Sequence, residues 1–383
     1  MTTKEKVLSL LINRKNSCGC AESEENSESK SGSELVLRQC IKQLPVSGER
    51  LAEECGVSRA AIWKAVNALR AEGIAIEGSP NGGYVLCDDD LLTPELFNQI
   101  LKRDFPEYAD CHSEIFKEID STNTYAKRIL SECGNLRQAD GNLTEAGKKL
   151  HQSIIVAESQ TAGRGRLGRN FVSPAKTGIY LSVIYAPKGG ITNPAKVTAF
   201  SAVAVCRAIK EVYNIDTKIK WINDIYAGGK KISGILTEGF TNFETGTIES
   251  AVIGIGINIR ENPQAFSQSL KKVAGSIEGA EGGISGYGNG ASRRCTLAVH
   301  VAANVLKVLE EEASSVMSEY KKASFLIGTT LNVFPLAGEE KSSYSAKAID
   351  IDENAALIVE LADGTKKALS SGEVTLKSSE FSA

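Results

Sequence analysis

The stretch Glu158-Ser-Gln-Thr-Ala-Gly-Arg-Gly-Arg-Leu-Gly-Arg169 constrains this chain more than any other part of it. Gly163 to Arg169 interleaves glycines with arginines directly after the apolar, strand-like run Ser153-Ile-Ile-Val-Ala157. Glycine lets a backbone approach a ligand closely, and each arginine offers a rigid fork of donors for phosphate or carboxylate. Such a loop suits an anionic, oxygen-rich ligand. Gly163, Gly165 and Gly168 also fit the dinucleotide pattern GxGxxG, which requires a helix opening at the glycines. Here Asn170-Phe-Val-Ser-Pro174 and Gly178 follow with no helical period, so a Rossmann reading fails on context. No HRD or DFG sequence accompanies the loop, which argues against a protein kinase. A Walker A loop is absent too, because Gly141 and Gly147-Lys148 stand one residue too far apart and Lys149 replaces the required Ser or Thr.

A chain of 383 residues has room for two or three domains, and 42% hydrophobic with 24% charged residues is the composition of an ordinary soluble globular protein. The N-terminus leads into an amphipathic stretch without a signal-peptide core, and no apolar run is long enough to span a bilayer. Nine cysteines spread along the chain suggest reduced thiols and a cytoplasmic location. Cys18-Gly-Cys20 has no second pair at zinc-finger spacing, and His112, His151 and His300 are the only histidines, so neither a resident metal nor histidine catalysis is expected. A net charge of −3 excludes a wholly basic nucleic-acid binder and leaves a local basic face open.

Three parts separate by pattern, giving an α+β multidomain chain: residues 1–88, 89–325 and 326–383. The first ends at the acidic Asp88-Asp-Asp90 and contains a Ser/Glu/Gly-rich stretch, about 16–33, that reads as a disordered insertion. A helical linker, Leu91 to Leu101, leads into a middle part of mixed strands and helices. That part carries two weakly patterned segments, 133–149 and the glycine-rich 279–291, the second read as a mobile loop. From Leu326 on, short strand-like runs split by Asp352-Glu-Asn354 and Asp363-Gly364 suggest a small antiparallel β barrel or sandwich.

In the first part, Ser47 caps a short helix that stops at Gly56, and Ser58 caps a second that runs to Gly73. Ile62, Ala65, Val66 and Leu69 form the apolar face of this second helix. Ala60, Lys64 and Asn67 lie opposite, flanked by Arg59 and Trp63, and the segment from Ser58 to Arg70 contains no acid. Ile74-Ala-Ile76 and Tyr84-Val-Leu86 then bracket the turn Pro80-Asn-Gly-Gly83. The pattern is a winged helix-turn-helix, with Ser58, Arg59, Lys64 and Asn67 placed to meet DNA phosphates or base edges. Acids outnumber bases over residues 1–90, so a protein-contact role for the module stays open beside DNA binding.

Four segments carry the chemistry of the middle part. Ser121, Thr122 and Asn123 precede a helix and offer hydroxyl and amide groups to a polar, uncharged head such as an amide or ureido group; alone they are also simply helix caps. The Gly/Arg loop is the second. In Lys220-Trp-Ile-Asn-Asp-Ile-Tyr-Ala-Gly-Gly-Lys-Lys-Ile-Ser-Gly-Ile-Leu236, Gly228-Gly229 joins two strands as a hairpin. Strand alternation there puts Lys231, Ser233 and Ile235 on one face, where Lys231 is either a pocket ammonium or a surface lysine. In Val252-Ile-Gly-Ile-Gly-Ile-Asn-Ile259, isoleucines take one face and Gly254, Gly256 and Asn258 the other. A face stripped of side chains invites a ligand or tight packing. Together the four segments describe an apolar pocket with a polar end beside a cationic loop, which suits activation of a carboxylic acid by ATP.

These motifs also follow one another in a known order. Ser47-Gly-Glu, Ser58-Arg-Ala-Ala-Ile-Trp-Lys64, Ser121-Thr-Asn123, Gly163-Arg-Gly-Arg-Leu-Gly-Arg169, Lys220-Trp-x-Asn-Asp224, Lys231-x-x-Gly-Ile-Leu236, Gly254-Ile-Gly-Ile-Asn258 and Ser371-Gly-Glu-Val374 are collinear over nearly the whole chain. In this the chain resembles the bifunctional biotin–protein ligases and biotin operon repressors. The resemblance implies a winged helix-turn-helix, a central biotin/lipoate-ligase-like α/β domain with a mixed sheet, and a C-terminal SH3-like β barrel. It implies an enzyme that joins biotin to ATP, with Mg2+, to give biotinoyl-5′-AMP and pyrophosphate. Transfer to a lysine of the biotin carboxyl carrier protein of acetyl-CoA carboxylase follows. The adenylate-loaded form would be a homodimer on operator DNA of biotin genes, with no membrane partner.

By motif match, Ser121, Thr122, Asn123 and Gln160 would hold the biotin ring, and Gly163, Arg164, Gly165 and Arg166 would close over biotin and adenylate. Lys231 would meet the carboxylate or acyl-phosphate oxygen, so that Arg164, Arg166 and Lys231 are the catalytic cations. Arg166, Arg169, Asp224 and Asn258 would serve the nucleotide. Three departures stand out: Ile222 where the family has proline, Phe171 where tryptophan is usual, and Lys377 where arginine can occur. A DNA-binding ligand sensor without turnover, a lipoate-type acyl ligase, and a ligase with a vestigial DNA module are the alternatives.

Overall fold

The computed structural model describes residues 2–17, 45–79, 81–87, 90–138, 140–242, 246–261, 273–280, 293–334 and 343–376. Most of the expected insertion at 16–33, most of the glycine-rich loop at 279–291, and Lys377 lie outside them. The chain divides into two compact units, Met1–Ile100 with Tyr287–Cys295, and Leu101–Gly286 with Thr296–Ala383.

The first unit begins with α1 (Thr3–Ser17), which buries Val7, Leu8, Leu11 and Ile12, one stripe of a helix. α2 (Gly48–Cys55) is capped by Ser47, whose hydroxyl accepts from Arg50 N, and ends at Gly56 in the left-handed region. α3 (Arg59–Ala71) is capped by Ser58 and buries Ile62, Ala65, Val66 and Leu69, the expected face. Strands β1 (Ile76–Ser79) and β2 (Gly83–Leu86) pair antiparallel as the wing, and Val46 bridges to Tyr84 beside them. At Gly78 (φ 110°) a Cβ would lie 1.9 Å from Gly83 O, so the wing closes only on glycine. Arg70 donates to Ile76 O and Gly78 O, both at 2.8 Å, and so fastens the wing to α3. Also in this unit, Arg294 is 1% exposed and its Nε donates to Asp90 Oδ1 at 2.9 Å.

The second unit is built on a seven-stranded mixed sheet of order β3-β4-β5-β9-β8-β7-β6. Helix α4 (Pro94–Asp104) leads into β3 (Ser113–Ile119), and α5 (Thr122–Glu132) and α6 (Glu145–Leu150) precede β4 (Ile154–Gln160). Next come β5 (Gly178–Tyr185), α7 (Pro194–Tyr213), β6 (Lys218–Lys220), β7 (Asp224–Ala227), β8 (Lys230–Thr241) and β9 (Ile248–Asn258). Among the described strands of this sheet, β3 and β4 are the one pair that runs parallel. α5 packs Ala126 and Leu130 with Leu136, Ile155, Ile184 and Val252 on one sheet face. On the other, α7 joins the sheet through Thr198 Oγ1, which donates to Thr237 Oγ1 at 2.8 Å, beside the buried Ile253, Ile255 and Ile257. Each isoleucine so buried contributes roughly 1.5–3 kcal/mol. Segment 133–149, weakly patterned in sequence, is ordered around Leu136 and Arg137, and Arg137 reaches Gly141 O, Pro187 O and Glu249 O.

After α8 (Arg293–Glu310) and α9 (Ala313–Ala323), five strands form an antiparallel sheet of order β13-β12-β11-β10-β14. They are β10 (Thr330–Phe334), β11 (Tyr344–Ile351), β12 (Leu357–Glu360), β13 (Lys366–Leu369) and β14 (Glu373–Leu376), turning at the two predicted Asp-rich places. This small sheet is fixed to the larger one by Trp221 Nε1, which donates to Ala355 O at 2.8 Å. No helix among the described residues is long and apolar enough to cross a membrane.

Candidate active site

A cavity of about 530 Å³ lies on the glycine face of the large sheet, a volume suited to a small-molecule ligand. Its floor follows from register. Gly234 on β8 opposes Gly256 on β9, and Leu236 opposes Gly254, so side chains are missing where the strands meet. Neighbours have taken up the space. A Cβ at Gly254 would lie 2.1 Å from Asn123 Oδ1, and one at Gly256 2.4 Å from Phe171 Cζ.

One end of the cavity is polar and neutral. Ser121 caps α5, and Ser121, Thr122 and Asn123 are all at most 3% exposed. Thr122 N donates to Gln160 Oε1 at 2.9 Å, and Gln160 Nε2 donates to Ser173 Oγ at 2.9 Å. Ser182 Oγ donates to Asn123 Oδ1 at 2.6 Å and lies 2.8 Å from Thr122 Oγ1. Asn123 Nδ2 donates to Glu238 Oε2 at 2.8 Å, and Lys127 pairs with the other carboxylate oxygen at 2.7 Å. Burial disfavours the charge on Glu238, but bonds from Lys127 and Asn123 and the nearby Lys127 and Arg164 charges outweigh it, leaving its carboxyl below the usual range.

The Gly/Arg loop lines the cavity through Arg164, Gly165, Arg166 and Arg169 and has no helix apart from a single 3₁₀ turn at Arg166–Gly168, with Leu167 at φ 58°. Phe171 N donates to Gly163 O at 2.9 Å and Gly165 N to Arg169 O at 2.7 Å, so the loop folds back on itself. A Cβ at Gly163 would lie 2.3 Å from Phe171 O. Arg166 donates to Asn223 Oδ1 at 2.8 Å and to Gly372 O at 3.3 Å. Arg164 comes within 3.8 Å of Glu238. Phe171 stacks edge-on with Tyr180, ring centroids 6.2 Å apart.

The other end is ionic. Lys231 Nζ lies 2.6 Å from Asp224 Oδ1, and Lys220 is beside them in the lining. Burial, with Lys231 and Arg169 nearby, pulls the Lys220 ammonium below its usual range despite Asp224 and Glu373. Here the structure corrects one expectation. Tyr226 opposes Lys231 but Ile225 opposes Ser233, so Ile232 is the extra residue of a β-bulge. The bulge turns Lys231 to the cavity face with Gly234, whose Cβ would lie 3.3 Å from Nζ, while Ser233 and Ile235 are buried. Asn258 lines the cavity and donates to Gly275 O at 3.1 Å. Asn223 keeps its donor to Ile235 O at 2.9 Å although isoleucine precedes it, and the Trp221–Ile222 peptide is cis.

The cavity thus gathers Ser121, Thr122, Asn123, Gln160, Arg164, Gly165, Arg166, Arg169, Asp224, Lys231 and Asn258. Gly163 shapes the loop behind them. Of the N-terminal set, Ser58, Arg59 and Lys64 are exposed on α3, and Asn67 is half-buried with Arg70 at 3.4 Å. Sequence reading missed Ser182, Glu238, Lys127 and the segment Val273–Ala274 that also lines the cavity. A lone serine in the apolar strand Gly178–Tyr185 was the available signal for Ser182. No group of three His, Cys, Asp or Glu able to hold a metal is found among the described residues.

A winged helix-turn-helix, a mixed-sheet domain with an anion-ready cavity, and a small β sheet define a two-function class of protein. Comparison with known proteins agrees with each part. Residues 116–258 match the Biotin/lipoate A/B protein ligase family, 34–85 an HTH domain, and 337–377 the Biotin protein ligase C terminal domain. The chain is 30% identical over 331 residues to a Bacillus subtilis protein named bifunctional ligase/repressor BirA, covering 84% of this chain and 91% of that one. The Escherichia coli protein of the same name is 28% identical, with 87% and 94% covered. A solved biotin protein ligase from Aquifex aeolicus, in complex with biotin and ATP, shares the fold at a TM-score of 0.51 and 23% identity, over 70% of this chain and 98% of that one. The chain belongs to the bifunctional biotin ligase/repressor family.

Proposed function

We propose that this protein activates biotin with ATP and passes it to a protein lysine, and that it also represses biotin genes. A biotin carboxylate oxygen attacks the α-phosphorus of ATP. A new O–P bond forms, the α–β bridging bond breaks, and pyrophosphate leaves with the electron pair. The lysine amine of the biotin carboxyl carrier protein then attacks the acyl carbon, expelling AMP and losing a proton. The cavity carries this reading: a neutral hydrogen-bonding end, a glycine floor and a cationic end in one enclosure.

Ser121, Thr122, Asn123 and Gln160 are the groups for the biotin ring. Lys231, oriented by Asp224, serves the carboxylate, and Arg164 and Arg166 offset charge as carboxylate and phosphate meet; a donor so placed is worth roughly 3–4 kcal/mol of barrier. Arg169, Asp224 and Asn258 serve the nucleotide. Mg2+ enters as the counter-ion of ATP, and Asp224 and Glu373 are the lining carboxylates among the described residues. Closed over biotin and adenylate as a lid, the Gly/Arg loop excludes water from the mixed anhydride.

For the repressor activity, α3 presents Ser58, Arg59, Lys64 and Asn67 to operator DNA. We assign three working parts at 1–88, 89–325 and 326–383, a cytoplasmic site of action, and a homodimer when adenylate is bound; the dimer rests on the family resemblance. Native mass spectrometry after incubation with ATP, Mg2+ and equal biotin, lipoate and octanoate tests the chemistry. Retained biotinoyl-AMP supports the assignment, a lipoyl or octanoyl adenylate changes the substrate, and bound biotin without adenylate leaves a sensor.

A further inference from the structure

Among the described residues five cations line the cavity, and their partners differ. Arg169 is paired with Glu373, Lys231 with Asp224, and Arg164 lies near Glu238. Arg166 is held by the neutral acceptors Asn223 and Gly372. Among these five, only the Lys220 side chain makes no hydrogen bond and no ion pair among the described residues, although it is half-buried. A half-buried ammonium with no direct partner, and only the longer-range charges of Asp224 and Glu373 to offset it, leaves the cavity at this point receptive to an incoming anion.

Position says which anion. Across the sheet the strands run β5, β9, β8, β7, β6. The neutral ring-binding end stands over Ser182 on β5 and Gly254 on β9, Lys231 is on β8, Asp224 on β7 and Lys220 on the edge strand β6. Strands are about 4.8 Å apart, so the Lys220 backbone lies roughly 10 Å beyond that of Lys231, away from the ring end. A biotin chain laid from β5 to β8 meets Lys231 with its carboxylate. The next groups along that line are the phosphates beyond the reacting phosphorus.

We infer that Lys220 is a further catalytic residue, binding the β- and γ-phosphates of ATP and then the departing pyrophosphate. In the activation step the α–β bridging oxygen takes the electron pair of the broken bond, and the Lys220 ammonium offsets the charge that gathers there. It has no part in transfer to the acceptor lysine, because pyrophosphate has left by then.

The inference rests on the ligase reading, and the test separates the two. In biotin-dependent ATP–pyrophosphate exchange, Lys220→Met should raise the apparent constants for ATP and for pyrophosphate together, by about tenfold or more. Biotin affinity by calorimetry, and single-turnover transfer from preformed biotinoyl-AMP to the carrier protein, should stay within about twofold of wild type, since no step there meets Lys220. Unchanged ATP and pyrophosphate constants would overturn the inference, and so would transfer impaired as strongly as exchange. If Lys220→Met fails to fold, Lys220→Gln takes its place under the same criteria. If wild type shows no exchange at all, the ligase reading falls, and direct calorimetric titration of wild type and variant with pyrophosphate decides the role of Lys220 by itself.

Discussion

Arg169 and Glu373, 204 residues apart in sequence, meet in a two-point ion pair, Nη2 to Oε2 at 2.8 Å and Nη1 to Oε1 at 2.5 Å. With Arg166 bonded to Gly372 O, the Gly/Arg loop is held at two successive residues of the C-terminal part. The pair is largely exposed, and pairs of that kind are worth about 0.2–1 kcal/mol. Its influence therefore falls on lid opening rather than on folding. Glu373→Gln should speed release of biotinoyl-AMP by roughly two- to fivefold with little change in melting temperature. A chase with excess biotin measures the release rate, and an unchanged rate would detach the lid from this contact.

Arg166 makes a charge-assisted bond to Asn223 as well as the one to Gly372. Arg166→Ala should accelerate adenylate loss by about tenfold or more and loosen acceptor choice, with the fold intact. Release kinetics and labelling of a non-cognate protein report both effects. An adenylate retained as in wild type would remove the loop from the mechanism.

Gly254 has Asn123 Oδ1 where its Cβ would be, 2.1 Å away. Gly254→Ala must displace the Asn123 amide from its bonds to Ser182 and Glu238, at a cost of roughly 1–3 kcal/mol. Biotin affinity should fall by at least about tenfold, which calorimetry reads directly. Normal affinity would mean that Asn123 is not part of the ring site.

Removal of the N-terminal module tests the first boundary. A chain beginning at residue 89 keeps Asp90 as a partner of the buried Arg294. It should lose operator binding in a gel shift and keep most ligase turnover. Starting at residue 92 removes that carboxylate and should cost a further roughly 1.5–3 kcal/mol, seen in denaturant unfolding. Equal stability of the two chains would contradict this account of Arg294.

Glu238 gives a pH dependence. Its folded-state carboxyl lies below the ordinary glutamate range, so its contribution is present above the unfolded pKa of about 4.3 and is lost as pH falls through the lower folded value. Glu238→Gln should therefore lie closest to wild type in stability at the acid end of that window and fall behind it as pH rises to 7. Parallel unfolding curves at every pH would exclude the assignment.

Much of this was legible in sequence because it depends on local rules. Ser47 and Ser58 cap where hydroxyl-before-helix chemistry puts them, and Gly228-Gly229 turns a hairpin with φ of 55° and 71°. The isoleucine/glycine alternation of β9 gave the cavity floor. What was not legible depends on contacts between distant segments. Glu238 is an unremarkable acid until β8 brings it to Asn123, 115 residues away. Segment 133–149 has no strong period, yet Leu136 is buried in the core cluster and Arg137 bonds three carbonyls. Strict alternation gives Lys231 the wrong neighbours, because it has no place for an extra residue.

The bulge at Ile232 means that the address of Lys231 is set by its ladder partner, Tyr226, and not by its count along the strand. A homologous chain one residue shorter here would still aim its lysine at the substrate. One of equal length with a straightened strand would turn the ammonium toward α7 and the apolar interior. Gaps in an alignment at this place are thus compatible with activity, and an ungapped match does not ensure it.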